Sequence, residues 1–176
     1  MAANTKSNPR RGRTPERPAA RAVDISLGAK LMTLSNLMRR IMAMRFQRLF
    51  RLSLVEGWIV SHIGAGGPMS LDELAYRCGL NKSQMSRGVT TMVKRALVNR
   101  RRNPDNPNGV ILTLTPDGRK VYREISGLWP RYNRLLMAGL DEREIAAFAG
   151  HVAALIENSR GNLMRERKLS AAEEGG

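Results

Sequence analysis

Apolar residues recur at spacings of three and four along most of the chain, and this period predicts a largely helical protein. The first apolar stripe starts near Asp24 and is interrupted by a single charged residue, Arg45. Its members are Leu27, Leu31, Leu34, Met38, Ile41, Arg45 and Leu49. We predict helices at approximately 24–50, 53–64, 70–78, 82–96, 116–138 and 141–166.

Capping residues mark the beginning of the five later helices. Ser, Asn and Asp side chains accept hydrogen bonds from the free N–H groups of a first helical turn, and a Glu or Gln three residues later completes the pattern. Such pairs are Ser53–Glu56, Ser70–Glu73, Asn81–Gln84 and Asp141–Glu144. Thr115 precedes Pro116, and proline suits the first helical position.

Strands replace helices between Leu97 and Thr115. Residues 98–102 form one predicted strand, and the alternating residues 110–115 form another. Residues 103–109 between them are rich in Asn, Pro and Gly, which predicts a loop. Helix, short glycine turn, helix and hairpin follow each other in the order of a winged helix-turn-helix.

Charge narrows the choice of partner. Basic residues outnumber acidic ones by 30 to 15, so the formal net charge is +15. This charge implies a polyanionic partner, either nucleic acid or an anionic membrane. No apolar run reaches the roughly 18 residues of a membrane span, so we expect no membrane insertion. Residues 1–22 lack the apolar stretch of a secretory signal and are expected to be a disordered basic tail, either solvated or following DNA phosphates.

The second helix of the predicted pair carries side chains suited to the major groove. Gln can pair with adenine and Arg with guanine, whereas Lys and Ser contact phosphates or bases. The residues on its polar side are Lys82, Ser83, Gln84, Ser86, Arg87, Thr90, Lys94 and Arg95, with Met85, Val89 and Met92 facing the core. The alternative is that this face of the helix is polar only because it is exposed to water. The preceding helix, the following hairpin and the net charge of the chain make this alternative less favourable.

Three segments of the chain resemble the MarR family of bacterial transcriptional regulators, over residues 31–158. Residues 80–100, LNKSQMSRGVTTMVKRALVNR, are similar to the family's recognition helix and first wing strand. Residues 112–122, LTLTPDGRKVY, are similar to the end of the wing and the next helix. Residues 139–155, GLDEREIAAFAGHVAAL, resemble the start of the last helix of the dimerisation region.

Two positions depart from the family pattern. Ala96 stands where a Gly is common, and Pro107 stands where an Arg often enters the minor groove, two residues after Asp105. Basic residues lie at the base of the wing instead, at Arg100, Arg101 and Arg102. Neighbouring strand residues point to opposite faces, so these three cannot all face DNA. We expect phosphate contacts from the wing and little minor-groove readout.

Apolar stripes outside the DNA-binding segment predict a homodimer, as the resemblance also implies. They comprise Val121, Ile125, Leu128, Tyr132 and Leu135, and Ile145, Phe148, Val152, Leu155 and Ile156. The predicted fold class is mainly α with a small β-hairpin wing, a winged helix-turn-helix plus a helical dimerisation region. The expected division is a tail at 1–22, a dimerisation helix at 23–52, the DNA-binding domain at 53–115, dimerisation helices at 116–167 and a flexible tail at 168–176.

The resemblance also implies a pocket for a small effector between the two regions. Candidate ligand residues are Met42, Arg45, Trp58, His62 and Trp129. A charge on an apolar stripe needs a partner, so Arg45 either forms a salt bridge with an acid, which we favour, or pairs with an anionic aromatic ligand. His62 fits better as a satisfied or exposed imidazole, and the two Trp residues as core.

Other classes of protein fit less well. His62 and His151 lie on different predicted helices with no Cys or acid cluster nearby, so we expect no enzyme, metal or cofactor. An architectural DNA binder without sequence choice is the main alternative, and a winged helix used for protein contacts is a third. The lone Cys78 excludes an internal disulfide, fits a reducing cytoplasm and is better read as a small buried residue than as a redox sensor. As a DNA-binding protein of the cytoplasm, the chain is expected to be nucleoid-associated.

Overall fold

The computed structural model describes residues 20–103 and 106–174, and within them the chain is mostly helical. The elements are α1 (Ala20–Phe50), α2 (Leu54–Gly66), β1 (Met69–Ser70), α3 (Leu71–Cys78), α4 (Lys82–Lys94), β2 (Val98–Asn103), β3 (Asn106–Leu114), α5 (Pro116–Leu136) and α6 (Glu142–Glu174). The predicted fold class, helices with a small β wing, is confirmed.

All five predicted N-caps form. Both hydrogen bonds of a capping box link Ser53 with Glu56, and Asp141 and Glu144 bond each other's backbone N–H groups in the same way. The other caps accept from the third helical residue: Ser70 from Glu73 at 3.1 Å, Asn81 from Gln84 at 2.8 Å and Thr115 from Gly118 at 3.0 Å. The helix starts are therefore encoded locally.

The two outermost helices are longer than predicted. Helix α1 begins at Ala20, before the predicted start near Asp24, and α6 continues to Glu174, past the predicted end at 166. The flexible tail predicted at 168–176 is therefore helical as far as Glu174. Its residues Lys168 to Glu174 contain no Gly or Pro and include Ala and Glu, which favour helix. The basic tail predicted at 1–22 lies outside the described residues as far as residue 19.

The wing loop is shorter than predicted, and the sheet has a third strand. The strand order is β1-β3-β2, with β3 antiparallel to both neighbours. Most of the predicted loop at 103–109 belongs to the ends of β2 and β3. Pro107 is compatible with β3 because β1 pairs only with Ile111 and Leu112, which leaves that edge of β3 unpaired near the tip.

The core lies between α2, α4, the sheet, the end of α1 and the start of α5. Phe46 of α1 is fully buried, and a Cβ on Gly57 of α2 would overlap its ring, so the two helices need glycine at this crossing. Ile59, Leu74 and Leu112 are also fully buried. By contrast, the first part of α1 and most of α6 remain exposed in the single chain.

Candidate nucleic-acid interface

Helices α3 and α4 form the helix-turn-helix. Gly79 ends α3 in the left-handed region at φ +63°, and the N–H of Leu80 donates to Ala75 O at 3.0 Å. This C-terminal cap turns the chain sharply, and Asn81 then starts α4. Leu74 and Ala75 are buried under α4, so α3 supports the second helix as predicted.

Helix α4 separates a buried face from a polar one. Met85, Val89 and Met92 are at most 1% exposed, which confirms the predicted core side. The predicted DNA-contacting side chains of Ser83, Gln84, Arg87, Thr90 and Lys94 are exposed, and Ser86 is partly buried. The first turn contains no acidic residue, so the positive end of the helix dipole is uncompensated within it. The exposed face can therefore approach an anion.

Two predicted contact residues already have partners. The Lys82 ammonium lies 2.8 Å from a carboxylate oxygen of Asp72 on α3, with both side chains about two-thirds exposed. An exposed pair of this kind contributes little stability and can exchange for another anion. The Thr90 hydroxyl donates to Ser86 O at 2.9 Å, so it offers an approaching base or phosphate only acceptor capacity.

Arg95 does not extend the polar face, and that prediction is wrong. Its guanidinium donates to the backbone oxygen of Arg51 at 2.9 Å and lies 3.6 Å from a carboxylate oxygen of Glu56. Helical periodicity puts residue 95 on the side of Lys94, but Arg95 is the C-cap, where the chain leaves the helix. The side chain therefore reaches across to α1 and α2 rather than outward.

Ala96 keeps the left-handed conformation that glycine usually provides. Its φ is +54°, and the N–H groups of Ala96 and Leu97 donate to Val93 O and Met92 O. Both hydrogen bonds of a Schellman motif are therefore present with alanine at its left-handed position. Alanine at this position costs backbone strain that glycine would avoid.

The three arginines of the wing base divide between two faces, as predicted. Arg100 pairs with Leu112, Arg101 with Ile111 and Arg102 with Val110 across β2 and β3. Residues opposite each other in an antiparallel pair share a face, so Arg100 and Arg102 lie on one side and Arg101 on the other. All three are exposed. Asp105 and the side chain of Pro107 lie outside what the structure describes.

In the part of the chain that the structure describes, the predicted effector residues lie in different surroundings. Met42 is buried in the core, and Trp58 packs against the core with the Arg39 guanidinium 5.2 Å from its ring centre. His62 is half-buried, and burial, followed by the positive charge of Arg77, lowers its pKa. A groove of about 540 Å³ on α1 includes Arg45 but none of the other four.

Arg45, Trp129 and Tyr132 do come together. The Arg45 guanidinium lies 5.1 Å from the ring centre of Tyr132, and Trp129 meets the same ring edge-on at 6.1 Å. The favoured salt bridge of Arg45 with an acid is not formed among the described residues, where the Tyr132 ring is its recorded contact. The Tyr132 hydroxyl is buried without a hydrogen-bond partner in the described part of the chain. Sequence reasoning had assigned Tyr132 only to an apolar stripe.

Other chemistry is limited among the described residues. Burial raises the pKa of the Cys78 thiol to about 11, so the thiol stays protonated and poorly reactive near neutral pH. Residues 20–103 and 106–174 contain no group of three His, Cys, Asp or Glu side chains placed to hold a metal ion. No helix within those ranges has the length and apolar character needed to cross a membrane.

The helix-turn-helix and its wing define a winged-helix DNA-binding fold, and part of the chain matches a known family. The sequence profile of the MarR family matches residues 52–106, which contain α2 to β2. No curated protein matches the sequence significantly.

Solved structures share this fold over most of the chain. A MarR protein from Peptoclostridium difficile has a TM-score of 0.71 at 15% identity, over 89% of this chain and 97% of its own. MepR of S. aureus, in a DNA complex, has a TM-score of 0.66 at 13% identity, over 75% and 96%. PcaV of Streptomyces coelicolor, with its natural ligand, has a TM-score of 0.60 at 20% identity, over 76% and 91%.

Residues 52–106 thus match the MarR family, and the fold of the chain is that of solved MarR-family structures. The profile match to α2–β2 and the fold shared along both chains are consistent with each other. Members of this family regulate transcription and are not enzymes, in agreement with the sequence-based expectation for this chain.

Proposed function

We propose that this protein is a ligand-responsive repressor that binds a pseudo-palindromic operator as a homodimer. The exposed polar face of α4, held by α3 in a chain of net charge +15, is the observation that carries DNA binding. In this proposal Ser83, Gln84, Ser86 and Arg87 read base edges. Lys82, Thr90, Lys94 and the three wing arginines mainly contact phosphates.

Uncovered apolar residues support the homodimer. Many large apolar side chains of α1 and α6 are between 37% and 72% exposed in the single chain, an arrangement that isolated soluble domains avoid. They include Leu27, Met32 and Leu37 on α1, and Phe148, Leu155, Ile156, Leu163, Met164 and Leu169 on α6. A second copy that covers them places two reading helices on half-sites about one turn of DNA apart.

An effector that releases DNA is the third part of the proposal. Arg45 over the Tyr132 ring, with Trp129 at its edge, combines a cation, aromatic surface and a hydroxyl that has no partner among the described residues. This chemistry suits a small aromatic anion. Such a ligand would act by binding more tightly to dimers whose reading helices are wrongly spaced for the operator. The ligand held by PcaV supports the idea that this fold accommodates an effector.

Selection of bound fragments from genomic DNA tests the operator, because it yields both a consensus and the neighbouring genes. The affinity for the selected duplex is then compared with that for a random duplex at equal salt. A ratio of about 1,000 or more supports a sequence-specific regulator, whereas a ratio near one favours an architectural DNA binder. A protein that is monomeric at micromolar concentration contradicts the dimer.

A further inference from the structure

Three helix ends meet at Arg95, the C-cap residue of α4. Its guanidinium donates to Arg51 O at 2.9 Å and to Phe50 O at 3.5 Å, which are at the end of α1. It also lies 3.6 Å from a carboxylate oxygen of Glu56 in the first turn of α2. We call Phe50, Arg51, Glu56 and Arg95 the Arg95 junction.

Other interactions hold the partners of Arg95 in place. The side chain of Glu56 is 11% exposed, and the same oxygen that faces Arg95 accepts from Ser53 N–H at 2.6 Å. The Arg51 backbone is held in the left-handed region at φ +53°, and its carbonyl accepts from Arg95. Backbone oxygens at a helix C-terminus carry partial negative charge, so one guanidinium joins a negative helix end and a carboxylate.

The junction connects the helix that reads DNA with the helix that carries exposed apolar surface. Arg95 is the C-cap of α4, whereas Phe50 is the last residue of α1, the proposed dimerisation helix, and Arg51 directly follows it. Arg95 and Arg51 are 44 residues apart in sequence. The angle between α1 and α4 in turn sets where each reading helix lies relative to the twofold axis of a dimer.

We propose that Arg95 is a positioning residue that sets the orientation of α4 relative to α1, and thereby the spacing of the two reading helices. This inference rests on the proposed function, since it assumes dimeric reading of an operator. In this proposal Arg95 does not touch DNA, because its hydrogen bonds go to the end of α1 and its ion pair to α2. Loss of Arg95 should therefore weaken specific binding, because specific binding requires both reading helices in register. It should leave the general attraction to phosphates unchanged.

Two variants of Arg95 test this directly. Arg95→Ala removes the junction, and Arg95→Lys keeps the charge but loses the planar fork that reaches two carbonyls and a carboxylate. Binding is measured to the duplex selected by the unaltered protein and to a random duplex, over a series of salt concentrations. Thermal unfolding verifies that each variant is folded at the assay temperature, and Arg95→Lys carries the test if Arg95→Ala does not fold.

We expect Arg95→Ala to weaken binding to the selected duplex roughly tenfold, as for residues coupled in one network, with Arg95→Lys intermediate. Binding to the random duplex and the salt dependence should stay unchanged. Lys94→Ala is the matched control on the exposed face of the same helix. This substitution should weaken binding to both duplexes alike. It should also lower the slope of log affinity against log salt concentration by about one.

Two results overturn the inference. If Arg95→Ala lowers the salt slope by about one and weakens both duplexes equally, Arg95 is a phosphate contact. If both Arg95 variants bind the selected duplex as the unaltered protein does, the junction does not position α4. Failure of the proposed function looks different, because the unaltered protein itself would then show no preference between the two duplexes.

Discussion

The carbonyl oxygen of Leu97, at the end of the α4–β2 turn, lies directly against Gly118 in the first turn of α5. The same oxygen accepts from Thr115 N–H at 3.1 Å, and the Thr115 hydroxyl donates to Ala96 O at 2.7 Å. A Cβ at residue 118 would overlap the Leu97 oxygen. The glycine of the LTPDG segment is therefore required by a backbone-to-backbone approach that docks α5 onto the wing.

Gly118→Ala should lower the free energy of unfolding by about 1–3 kcal/mol, because the clash is with backbone and cannot be relieved by a side-chain rotation. Gly127→Ala in the same helix is the matched control, since nothing lies within 4 Å of the added carbon. It should raise the stability by about 0.5–1 kcal/mol. Urea unfolding measures both, and equal effects of the two substitutions would contradict this explanation.

Ala96→Gly should stabilise the protein by roughly 1 kcal/mol. Alanine in the left-handed region is strained, whereas glycine adopts it freely, and this gain exceeds the entropy that glycine adds to the unfolded chain. Gly79→Ala is the mirror experiment at φ +63°, where no atom lies within 4 Å of the added Cβ. It should cost a similar amount, so stabilisation by Gly79→Ala would argue against the backbone explanation.

Arg87→Ala should weaken binding to the selected operator by about 1–3 kcal/mol and relax the preference at one base pair of each half-site. Arg87 is exposed in the second turn of α4, and no acidic partner is recorded for it in the described chain. Competition with operators altered at single positions measures the preference. Lys120→Ala, which removes an exposed partner of Asp117 on α5, serves as the control. An even loss across all sequences after Arg87→Ala would assign Arg87 to phosphate.

Tyr132→Phe should leave the free energy of unfolding of the free protein unchanged or raise it by roughly 1 kcal/mol. The reason is that the substitution removes a buried hydroxyl that has no partner in the described residues. The same change should weaken the binding of aromatic carboxylates, tested as a panel by calorimetry, if one of them uses that hydroxyl. Clear destabilisation of the free protein would instead show that the hydroxyl has a partner in the dimer.

His62 should make the protein less stable as the pH falls below about 6.5, its pKa in an unfolded chain. Burial and the Arg77 charge lower its pKa in the fold, so the folded state takes up the proton less readily than the unfolded state. Its contribution is complete above pH 6.5 and is lost as the pH falls through that value towards the folded pKa.

Urea unfolding at pH 7.5 and 5.5 measures this loss. His62→Gln should reduce it, and His151→Gln, on the exposed surface of α6, should not. If the loss between the two pH values is the same in His62→Gln as in the unaltered protein, other groups cause it.

Local signals in the sequence were sufficient for most of the fold. A cap such as Asn81 acts within four residues, and the apolar period of α4 identified Met85, Val89 and Met92 as core. The β1 strand was missed because two residues cannot display a period, and its pairing with β3 is a long-range contact. The end of α6 was missed because no glycine or proline lies between the predicted end at residue 166 and Gly175.

The site was predictable only as far as side chains follow the helix period. Arg95 leaves that period at the C-cap, so its bonds to residues 44 and 45 positions earlier could not be inferred from spacing. Tyr132 was assigned to a stripe because sequence does not reveal whether a hydroxyl finds a partner once buried. The pairing of Arg45 with an aromatic ring rather than an acid depends on how α1 meets α5.

The Lys82–Asp72 pair affects the strength of DNA binding at the proposed interface without involving the residues that read bases. An anionic oxygen already occupies the place beside Lys82 that a phosphate would take, so arrival of the duplex is an exchange of one anion for another. The strength of DNA binding can therefore change through the charge of α3 alone, while the reading residues stay intact. A substitution at residue 72 would therefore change how strongly the protein occupies its operators, while the order of preference among operator sequences stays the same.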